Sequence, residues 1–583
     1  MASKLFCLTL SVPLLCAVIA LCGLNLEFLD ILLCKVPHSH YILSFCGKSK
    51  NVVFTLTEPS LPEYSEMNQY DLCMLKTKDE EQKKLAGFTQ HGFNEFASEK
   101  VGLLREVPDV RHTACMDKDY SDVLPIASII MCFYNEAWST LLRSIHSILK
   151  QTPENLLKEI ILIDDNSSLE HLGKALEDYI TQNFSKVKLI RSKERLGLIR
   201  ARMEGAKYAT GEVLVFLDSH IEAGNTWLEP LLDRIAANRK TVVVPVVDTI
   251  EAETFTYRRA DIMRGGFTWS LLHNWETLPL DVAKEVEKEA NPFPSPTMPG
   301  GLFAMDRSYF YELGEYDSLM DIWGGENMEI SFRIWQCGGT LEIVPCSRVG
   351  HVFRQFRPYA SPTGEDTATR NAARVAEVWL DEYKKHFYDL RPSAHTMDYG
   401  DVSARLALRK KLNCKSFRWY LENIHPEQLV PGEPAKVPGA YAHRKEMKKD
   451  IIVEQGKLVH FSSSLCVHAE TDPPQKDSLL ILSNCDKALN LILTSDYQIK
   501  IQNTRYCLES KETKRDSTLA YLMKCHSGGG AQVWIQKKFK DTFRLFNPAS
   551  GKCLSASKAE KNRKLSMELC GTRIEQEFTF KHH

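Results

Sequence analysis

Short apolar runs alternate with stretches of helical periodicity between Pro125 and Val247, and this alternation constrains the fold more than any other feature. The runs that predict strands are Ile126–Cys132, Glu159–Asp164, Val187–Ile190, Val213–Leu217 and Val242–Val247. The stretches that predict helices are Ala137–Lys150, Leu169–Gln182, Leu198–Ala209 and Trp227–Ala237. Continuous apolar strands are buried on both faces, so the pattern predicts an α/β domain whose mostly parallel sheet is covered by helices.

Acidic residues stand where two of these strands end. Asp165 follows one strand, and Asp218 follows another with His220 two residues further on. Ligands of open parallel sheets bind outside the carboxyl ends of the strands. Carboxylate and imidazole both suit Mn²⁺, although a capped turn is the alternative for an isolated Asp-x-His. His351 offers a third ligand, and Arg354 beside it offers hydrogen bonds to a diphosphate, so the pattern indicates a nucleotide-sugar transferase.

Two glycine-containing runs lie further along the chain. They are Met298-Pro299-Gly300-Gly301 and Trp323-Gly324-Gly325-Glu326-Asn327. Paired glycines let the backbone approach a ligand closely. Trp323 offers a flat face for stacking on a sugar ring, and Glu326 can accept hydrogen bonds from sugar hydroxyls. The alternative is a glycine turn beside a core tryptophan.

The N-terminal segment predicts a membrane anchor. After Lys4, the apolar stretch Leu5–Leu24 approaches the roughly 20 residues that span a bilayer as a helix. Charge placement favours a cytoplasmic tail at residues 1–4 and a lumenal remainder, whereas a cleaved signal peptide is the alternative. Residues 25–100 lack clear periodicity and are predicted to be a stem. Sequons at Asn166 and Asn183 fit a lumenal protein.

The C-terminal part has a different pattern. A proline-rich linker is predicted over residues 426–450, and short strands broken by polar turns follow over residues 451–583. Three similarly spaced cysteine pairs predict disulfides and an oxidising compartment. These pairs are Cys466–Cys485, Cys507–Cys525 and Cys553–Cys570. The threefold repeat of short strands predicts an all-β, trefoil-like module.

The overall charge excludes one class of function. The formal net charge of the 583 residues is -2, whereas nucleic-acid binders normally show a strongly basic domain or stripe. We therefore expect no nucleic-acid partner.

Residues 101–425 resemble the catalytic domain of the polypeptide N-acetylgalactosaminyltransferases. The stretches that carry the resemblance are Phe133–Ala137, Glu159–Asp165, Gly197–Arg202, Phe216–His220, Trp227–Leu232, Ile322–Asn327, Ile330–Gly339, Pro345–Arg354 and Glu377–Tyr383. The resemblance implies a GT-A-like, Rossmann-type nucleotide-sugar domain. It also implies a Golgi membrane protein of single-pass type II topology with its catalytic part in the lumen.

The resemblance implies roles for individual residues. The implied Mn²⁺ ligands are Asp218, His220 and His351. The implied catalytic residues are Asp218, His220, Glu326 and Arg354. The implied donor-binding residues are Asp165, Arg195, Ser219, Gly300, Gly301, Trp323 and Tyr359. An acceptor groove is expected at Phe267, Trp269 and Phe353, with a place in the core as the alternative for each. Disulfides are implied for Cys115–Cys346 and Cys337–Cys414.

The C-terminal segment resembles the ricin-type lectin domain of the same family. Sugar-binding repeats of that family carry Cys-Leu-Asp followed by Gln-x-Trp. The acid is absent from the first and third repeats here, and the second has Glu509 in its place. The second repeat also has Ala531 where an amide is expected. We therefore expect this module to bind GalNAc weakly or not at all.

The expected activity is Mn²⁺-dependent transfer of GalNAc from UDP-GalNAc to Ser or Thr hydroxyls of a polypeptide or glycopeptide, with retained anomeric configuration. Pro299 departs from the family pattern, because alanine is expected before the glycine pair. Proline lacks an N–H and has a fixed φ. Pro299 therefore motivates the alternative of a weak or inactive family member that acts as a regulator or binding protein in the Golgi. A different donor sugar is a further alternative.

Overall fold

The computed structural model describes residues 31–36, 40–45, 53–56, 66–359, 361, 364–436, 451–512, 518–526 and 528–582. Within these residues, no helix combines the length and the apolar character needed to cross a bilayer. The predicted anchor at 5–24 lies outside the described residues. The first 65 residues form a separate unit. Its described part is an antiparallel sheet of Ile31–Val36, His40–Phe45 and Val53–Leu56.

The catalytic part is built on a sheet of ten strands with helices on both faces. Eight strands lie side by side in the order Phe293–Pro294, Thr340–Val352, Thr241–Ile250, Phe303–Asp306, Val213–Asp218, Ala127–Phe133, Leu157–Asp164 and Val187–Arg191. Ile221–Ala223 and Tyr257–Arg258 pair with strands of this row, and Arg264–Phe267 pairs with His273–Glu276 in a separate hairpin. The predicted α/β class with a mostly parallel sheet is confirmed, since four of the row's neighbouring pairs are parallel.

Helices cover the two faces of this sheet. The helices of the region are Trp138–Gln151, Lys174–Asn183, Leu198–Tyr208, Glu229–Ala237, Leu280–Glu289, Arg307–Glu312, Glu326–Gln336, Thr367–Trp379, Lys384–Leu390, Ser403–Lys411 and Phe417–Asn423. Strand residues alternate between the two faces, so Ile129 and Ile130 enter different core clusters. This alternation explains why the strands are apolar throughout.

Two pairings of distant segments were not predicted, and both shape the site. The antiparallel strand Phe303–Asp306 lies between two strands of the parallel set, with Phe303 opposite Phe216. Continuing that register places Gly301 opposite Asp218. Thr340–Val352 pairs antiparallel with Ile221–Ala223, so the Val352 amide donates to the His220 carbonyl over 3.0 Å.

The predicted stem at 25–100 is wrong for residues 66–100, which belong to the same compact unit as the residues that follow them. Residues 66–101 contain the helices Glu66–Leu72, Lys78–His91 and Glu95–Val101. The buried Lys84 ammonium donates to the Ala549 carbonyl over 2.7 Å, and the Asn94 amide donates to the Ala252 carbonyl over 2.7 Å. These helices therefore contact both the catalytic part and the C-terminal module. Their N-caps, Thr77 and Asn94, were short-range signals of helix starts.

The C-terminal module is all-β, as predicted. Its strands are Ile452–His460, Cys466–Ala469, Leu480–Ser483, Asn490–Thr494, Ile499–Ile501, Tyr506–Glu512, Thr518–Lys524, Ile535–Phe539, Thr542–Asn547, Lys552–Ser555, Ser566–Glu568 and Phe578–Lys581. Trp534 is fully buried in their shared core and donates through Nε1 to the Leu508 carbonyl over 2.9 Å.

All five predicted disulfides are present. They are Cys115–Cys346, Cys337–Cys414, Cys466–Cys485, Cys507–Cys525 and Cys553–Cys570. The last three each lie in one repeat of the all-β module, where they replace part of the core that such short strands cannot supply. The first ties the start of the catalytic domain to the strand that carries His351.

Candidate active site

The three predicted metal ligands converge at one edge of the sheet. One ligand atom from each of Asp218, His220 and His351 lies within 4.8 Å of the others. Asp218 ends its strand, and strand pairing brings His351 beside His220, so their ring centroids are 4.8 Å apart. The Asp218 carboxylate accepts a hydrogen bond from His351 Nε2 over 3.1 Å. One carboxylate and two imidazoles form a donor set that suits Mn²⁺.

Buried Glu136 orients one of these ligands. Its carboxylate lies 2.9 Å from His220 Nδ1 and accepts from Ser219 Oγ over 2.8 Å. A carboxylate on one ring nitrogen fixes the tautomer and leaves the other nitrogen for a metal. His351 also has a buried nitrogen, Nδ1, with no hydrogen-bond partner among the described residues. The residues present therefore fit a divalent cation.

The charge of Asp218 is maintained by its neighbours. Burial opposes ionisation, but the hydrogen bond from His351 and the nearby Arg202 guanidinium outweigh it and lower the pKa of Asp218 to about 2. Arg202 is itself buried and donates to Asp218 over 3.0 Å. The carboxylate is therefore an anion at every pH near neutrality, which a metal ligand requires.

Arg202 also holds the glycine pair beside the metal ligands. Its guanidinium donates to the Gly300 carbonyl over 2.5 Å and to the Gly301 carbonyl over 2.9 Å. A Cβ atom on Gly301 would lie 2.5 Å from Asp218 Oδ2, so only glycine fits there. Gly300 has a φ of 88°, a backbone conformation that favours glycine. Pro299 precedes this pair and leaves both contacts to Arg202 intact.

A cavity of about 420 Å³ opens in front of these residues. The predicted site residues that line it are Asp218, Ser219, His220, Gly300, Gly301, Trp323, Glu326, His351, Phe353, Arg354 and Tyr359. The structure thus brings together residues from four separate stretches of chain. Such a concave space with convergent polar groups is the usual form of a small-molecule site.

Asp165 and Arg195 lie in a smaller space at one end of this cavity. The Asp165 carboxylate forms an ion pair with Arg195 and accepts from the Leu196 and Gly197 amides over 2.6 and 2.9 Å. The Arg195 guanidinium lies 3.7 Å from the Tyr134 ring centroid. This end therefore has flat aromatic and cationic surfaces that suit a nucleotide.

Glu326 and Trp323 form another wall. Glu326 begins the helix Glu326–Gln336 and accepts from the Gly324 amide over 2.7 Å. Burial raises the pKa of Glu326. The Trp323 ring is 45% exposed, with Arg357 lying 5.4 Å from its centroid. Trp323 is therefore an exposed side chain at the cavity wall, so the alternative of a core tryptophan is wrong.

Arg354 lies at the start of the segment that borders the cavity. Its guanidinium donates to both oxygens of Glu136 over 2.8 and 2.7 Å, and to the His91 carbonyl over 2.5 Å. Through Glu136 it is coupled to His220. Arg354 is therefore placed next to the metal ligands, but its hydrogen bonds in this structure go to the protein.

Phe267 and Trp269, which were predicted to lie in an acceptor groove, are buried side chains in this structure. They are only 2% and 6% exposed and do not line the cavity. Phe267 packs edge-on against Phe332, and Trp269 Nε1 donates to the Leu429 carbonyl over 2.6 Å. The helices that cover these rings come from distant parts of the chain. The aromatic side chains that reach the cavity from the same hairpin are His273 and Trp275, which the sequence reasoning missed.

Glu136 and Arg202 were also missed as individual residues. Each lies within a stretch that carried the family resemblance, Phe133–Ala137 for Glu136 and Gly197–Arg202 for Arg202. A charged residue inside an otherwise apolar or strand-ending stretch was the available signal, since such residues are rarely buried unless paired.

Glu509 marks the second repeat of the all-β module. Its carboxylate accepts from Tyr521 over 2.5 Å and from Gln532 over 2.7 Å. His526 Nε2 lies 3.8 Å from the same carboxylate. Both oxygens of Glu509 therefore already have donors within the protein.

Family models match three parts of the chain. The model described as Glycosyl transferase family 2 matches residues 128–314, and that described as N-terminal domain of galactosyltransferase matches residues 281–356. The model described as Ricin-type beta-trefoil lectin domain matches residues 454–578. The all-β module is accordingly a trefoil of the ricin type.

Curated relatives are similar over most of their length. Polypeptide N-acetylgalactosaminyltransferase 11 of Xenopus tropicalis is 48% identical over 505 residues, which cover 86% of this chain and 83% of the relative. Polypeptide N-acetylgalactosaminyltransferase 10 of Homo sapiens is 40% identical over 511 residues, which cover 85% of this chain and 80% of the relative. Among solved structures, GalNAc-T7 with UDP, GalNAc and Mn²⁺ is 32% identical with a TM-score of 0.59, covering 90% of this chain and 95% of that one.

Proposed function

The chain belongs to the polypeptide N-acetylgalactosaminyltransferases, and on that premise we propose that it transfers GalNAc from UDP-GalNAc to Ser or Thr hydroxyls of polypeptides. The observation that carries the proposal is the convergence of Asp218, His220 and His351 with the glycine pair Gly300–Gly301 in one cavity. A related structure, GalNAc-T7 at 32% identity, contains UDP, GalNAc and Mn²⁺.

Asp218, His220 and His351 would hold Mn²⁺ in this function. When bound, the ion would supply Lewis-acid stabilisation of the negative charge on the leaving diphosphate. Glu136 keeps His220 in the ligating tautomer, and Arg354 balances the Glu136 charge. This fixed arrangement costs no reorganisation during the reaction, which is the main source of electrostatic catalysis.

Other residues position the donor. Asp165 and Arg195 lie where the nucleotide would bind, and Tyr359 covers that end. The Trp323 ring offers a face for the sugar, and Glu326 can accept hydrogen bonds from its hydroxyls. The Gly324 amide orients the Glu326 carboxylate over 2.7 Å.

We infer that the anomeric configuration is retained through attack on the same face. The bond from the sugar C1 to the phosphate oxygen breaks, and a bond from C1 to the acceptor oxygen forms. The departing phosphate oxygen takes the acceptor's proton. Retaining hydrolases use two carboxylates about 5 Å apart as acid and nucleophile, whereas here Asp218 serves as a metal ligand and leaves Glu326 without such a partner.

The activity is tested with the full chain in detergent. Incubation with UDP-GalNAc, Mn²⁺ and a peptide library rich in Ser, Thr and Pro is expected to add one N-acetylhexosamine per modified hydroxyl by mass spectrometry. Exhaustive chelation and the variant His351→Ala are expected to abolish the addition. Undiminished transfer after chelation would contradict the metal assignment, and preferential use of UDP-glucose would contradict the donor.

Pro299 is the observation that would favour an inactive family member, but the contacts of the glycine pair argue against it. Arg202 still donates to both glycine carbonyls, and Asp218 still lies beside Gly301. We therefore propose an active enzyme. The variant Pro299→Ala is expected to change kcat by less than tenfold.

We also propose that the chain is a single-pass Golgi membrane protein of type II topology, anchored by Leu5–Leu24. The five disulfides support a lumenal location because they persist in oxidising compartments. Protease protection of C-terminally tagged protein in intact vesicles tests this topology. Digestion of that tag without detergent would contradict it.

For the trefoil we propose weak or absent GalNAc binding. The Glu509 carboxylate already accepts from Tyr521 and Gln532, so a sugar hydroxyl would have to compete with them. Saturation-transfer NMR with GalNAc and UDP-saturated full chain tests the proposal. A strong signal that disappears in Glu509→Ala would contradict it.

A further inference from the structure

The active-site cavity continues in two directions. At one end it shares Tyr134, Trp323 and Tyr359 with the space that contains Asp165 and Arg195. At the other end it shares Val247, Trp275 and Phe353 with a groove of about 250 Å³. If the nucleotide occupies the first end, the acceptor must approach from the second, past the hairpin that carries Trp275.

His273 lies on that hairpin, two residues before Trp275 and on the same face of the strand. Its ring lines the cavity, and it lies edge-on to the Trp275 ring with centroids 5.0 Å apart. Gly265 on the partner strand makes room for it, because a Cβ there would lie 2.9 Å from His273 Cε1. The imidazole therefore forms part of the acceptor side of the cavity.

Neighbouring hydrogen bonds define the tautomer of this ring. The Thr297 hydroxyl donates its hydrogen to the Gly266 carbonyl over 2.8 Å. The same hydroxyl lies 3.3 Å from His273 Nδ1, so it can only accept from that nitrogen. Nδ1 therefore carries the proton, and Nε2 is left as a bare acceptor.

Nε2 of His273 has no hydrogen-bond partner among the residues that the structure describes, although it is buried. Burial lowers the pKa of His273 to about 4, so the ring is neutral near pH 7. Buried polar groups are nearly always paired, and an unpaired one in a site calls for an explanation. A donor on the substrate would satisfy it.

We propose that His273 is a specificity-determining residue whose Nε2 accepts a hydrogen bond from a hydroxyl or amide side chain of the acceptor polypeptide. The enzyme would then prefer a donor-bearing residue, such as Thr or Asn, at the one peptide position that packs against Trp275. An apolar residue of the same shape at that position would leave Nε2 unpaired. This inference rests on the proposed function, since it assumes a polypeptide acceptor.

The test compares pairs of peptides that differ at a single position flanking the acceptor residue. Each pair has the same shape with and without a donor: Thr against Val, and Asn against Leu. For the wild type we expect kcat/KM to favour the donor-bearing peptide by about tenfold at one position, the usual worth of one hydrogen bond. At the other positions we expect a ratio near one.

Two variants separate the hydrogen bond from packing. His273→Phe keeps an aromatic ring against Trp275 but removes Nε2, so the preference for Thr over Val is expected to disappear. His273→Gln carries an acceptor oxygen at a similar reach, so part of the preference is expected to return. Acceptor-free hydrolysis of UDP-GalNAc and the melting temperature are measured for both variants, so that damage to the donor site or to the fold is distinguished from a loss of acceptor preference.

The outcomes distinguish the two claims. An unchanged preference in His273→Phe, or no donor preference in the wild type at any position, would overturn the role of His273 alone. The wild type could instead prefer glycosylated over bare peptides and lose that preference in His273→Phe. This result would also overturn the proposal, because Nε2 of His273 would then accept from a sugar hydroxyl and not from a peptide side chain. No transfer to any peptide would overturn the proposed function and this inference with it.

Discussion

Replacing Glu136 by Gln tests whether the metal ligands depend on their surroundings. The Glu136 carboxylate accepts from Ser219 over 2.8 Å, lies 2.9 Å from His220 Nδ1 and accepts twice from Arg354. Gln keeps the shape of the side chain but replaces one carboxylate oxygen with an NH₂ group. Both oxygens of Glu136 accept hydrogen bonds, so the NH₂ group would face a donor and lose that bond. Gln also leaves the Arg354 charge without its anion.

The expected effect is specific to the metal. Loss of a carboxylate that orients a ligating His typically costs about 10- to 100-fold in metal affinity. We therefore expect the Mn²⁺ concentration for half-maximal UDP-GalNAc hydrolysis to rise by about that factor. The free energy of unfolding is expected to fall by about 1–3 kcal/mol, because buried charge-assisted hydrogen bonds are lost.

Glu159→Gln is the matched control. Glu159 is equally buried and accepts from Ser128 over 2.9 Å and from Thr210 over 2.7 Å. It lies near the opposite end of its strand, roughly 16 Å from the site edge at about 3.3 Å per residue. We expect this variant to lose similar stability with an unchanged Mn²⁺ response. Equal Mn²⁺ responses in both variants would refute the role of Glu136.

Three further predictions follow from single features. Gly301→Ala places a Cβ 2.5 Å from Asp218 Oδ2, so kcat/KM is expected to fall by about 100-fold. Gly571→Ala, whose Cβ would lie 3.8 Å from its nearest neighbour, is expected to retain activity. Replacing Cys337 and Cys414 together by Ala is expected to lower the free energy of unfolding by about 2–4 kcal/mol in denaturant titrations. An unchanged free energy of unfolding would contradict a structural role for this disulfide. The Glu509 carboxylate, 3.8 Å from His526 Nε2, raises the pKa of His526. The stabilisation that protonated His526 gives the folded state is therefore complete below its unfolded pKa of about 6.5. It is lost as pH rises through its folded pKa. His526 is half-exposed, so its interaction with Glu509 is screened by solvent. The difference in unfolding free energy between wild type and His526→Ala is expected to shrink by less than about 0.5 kcal/mol from pH 5.5 to 8. An increase in that difference over the same range would contradict the interaction between His526 and Glu509.

The sequence predicted those parts of the site that local order encodes. Asp218 ends an apolar strand, and a parallel strand of that kind points its carboxyl end at the ligand-binding edge. The cysteine pairs of the trefoil have nearly constant spacing, with separations of 19, 18 and 17 residues. Residue chemistry singled out His351 and the glycine pair, and the family resemblance then gave them roles beside Asp218, because no local pattern connects them to it.

The hairpin of Arg264–Phe267 and His273–Glu276 shows what such local reasoning leaves open. Its strands contribute Phe267, His273 and Trp275, and Trp269 lies in the turn. Which rings are covered depends on packing by the helices Glu326–Gln336 and Phe417–Asn423, more than 50 residues away in the chain. Aromatic character alone therefore did not distinguish a core ring from a cavity wall.

The sequence by itself determined the α/β class, the threefold all-β module and the chemical types of the metal ligands, because strand apolarity, repeat spacing and residue chemistry are local properties. The tertiary structure decided which side chains face the cavity and how the ligands are supported. Pairing of Phe303 with Phe216 places Gly301 beside Asp218, and pairing of His351 with Ile221 places that imidazole beside His220. Registers between distant strands depend on the free energy of the whole sheet and core, and no short segment encodes them.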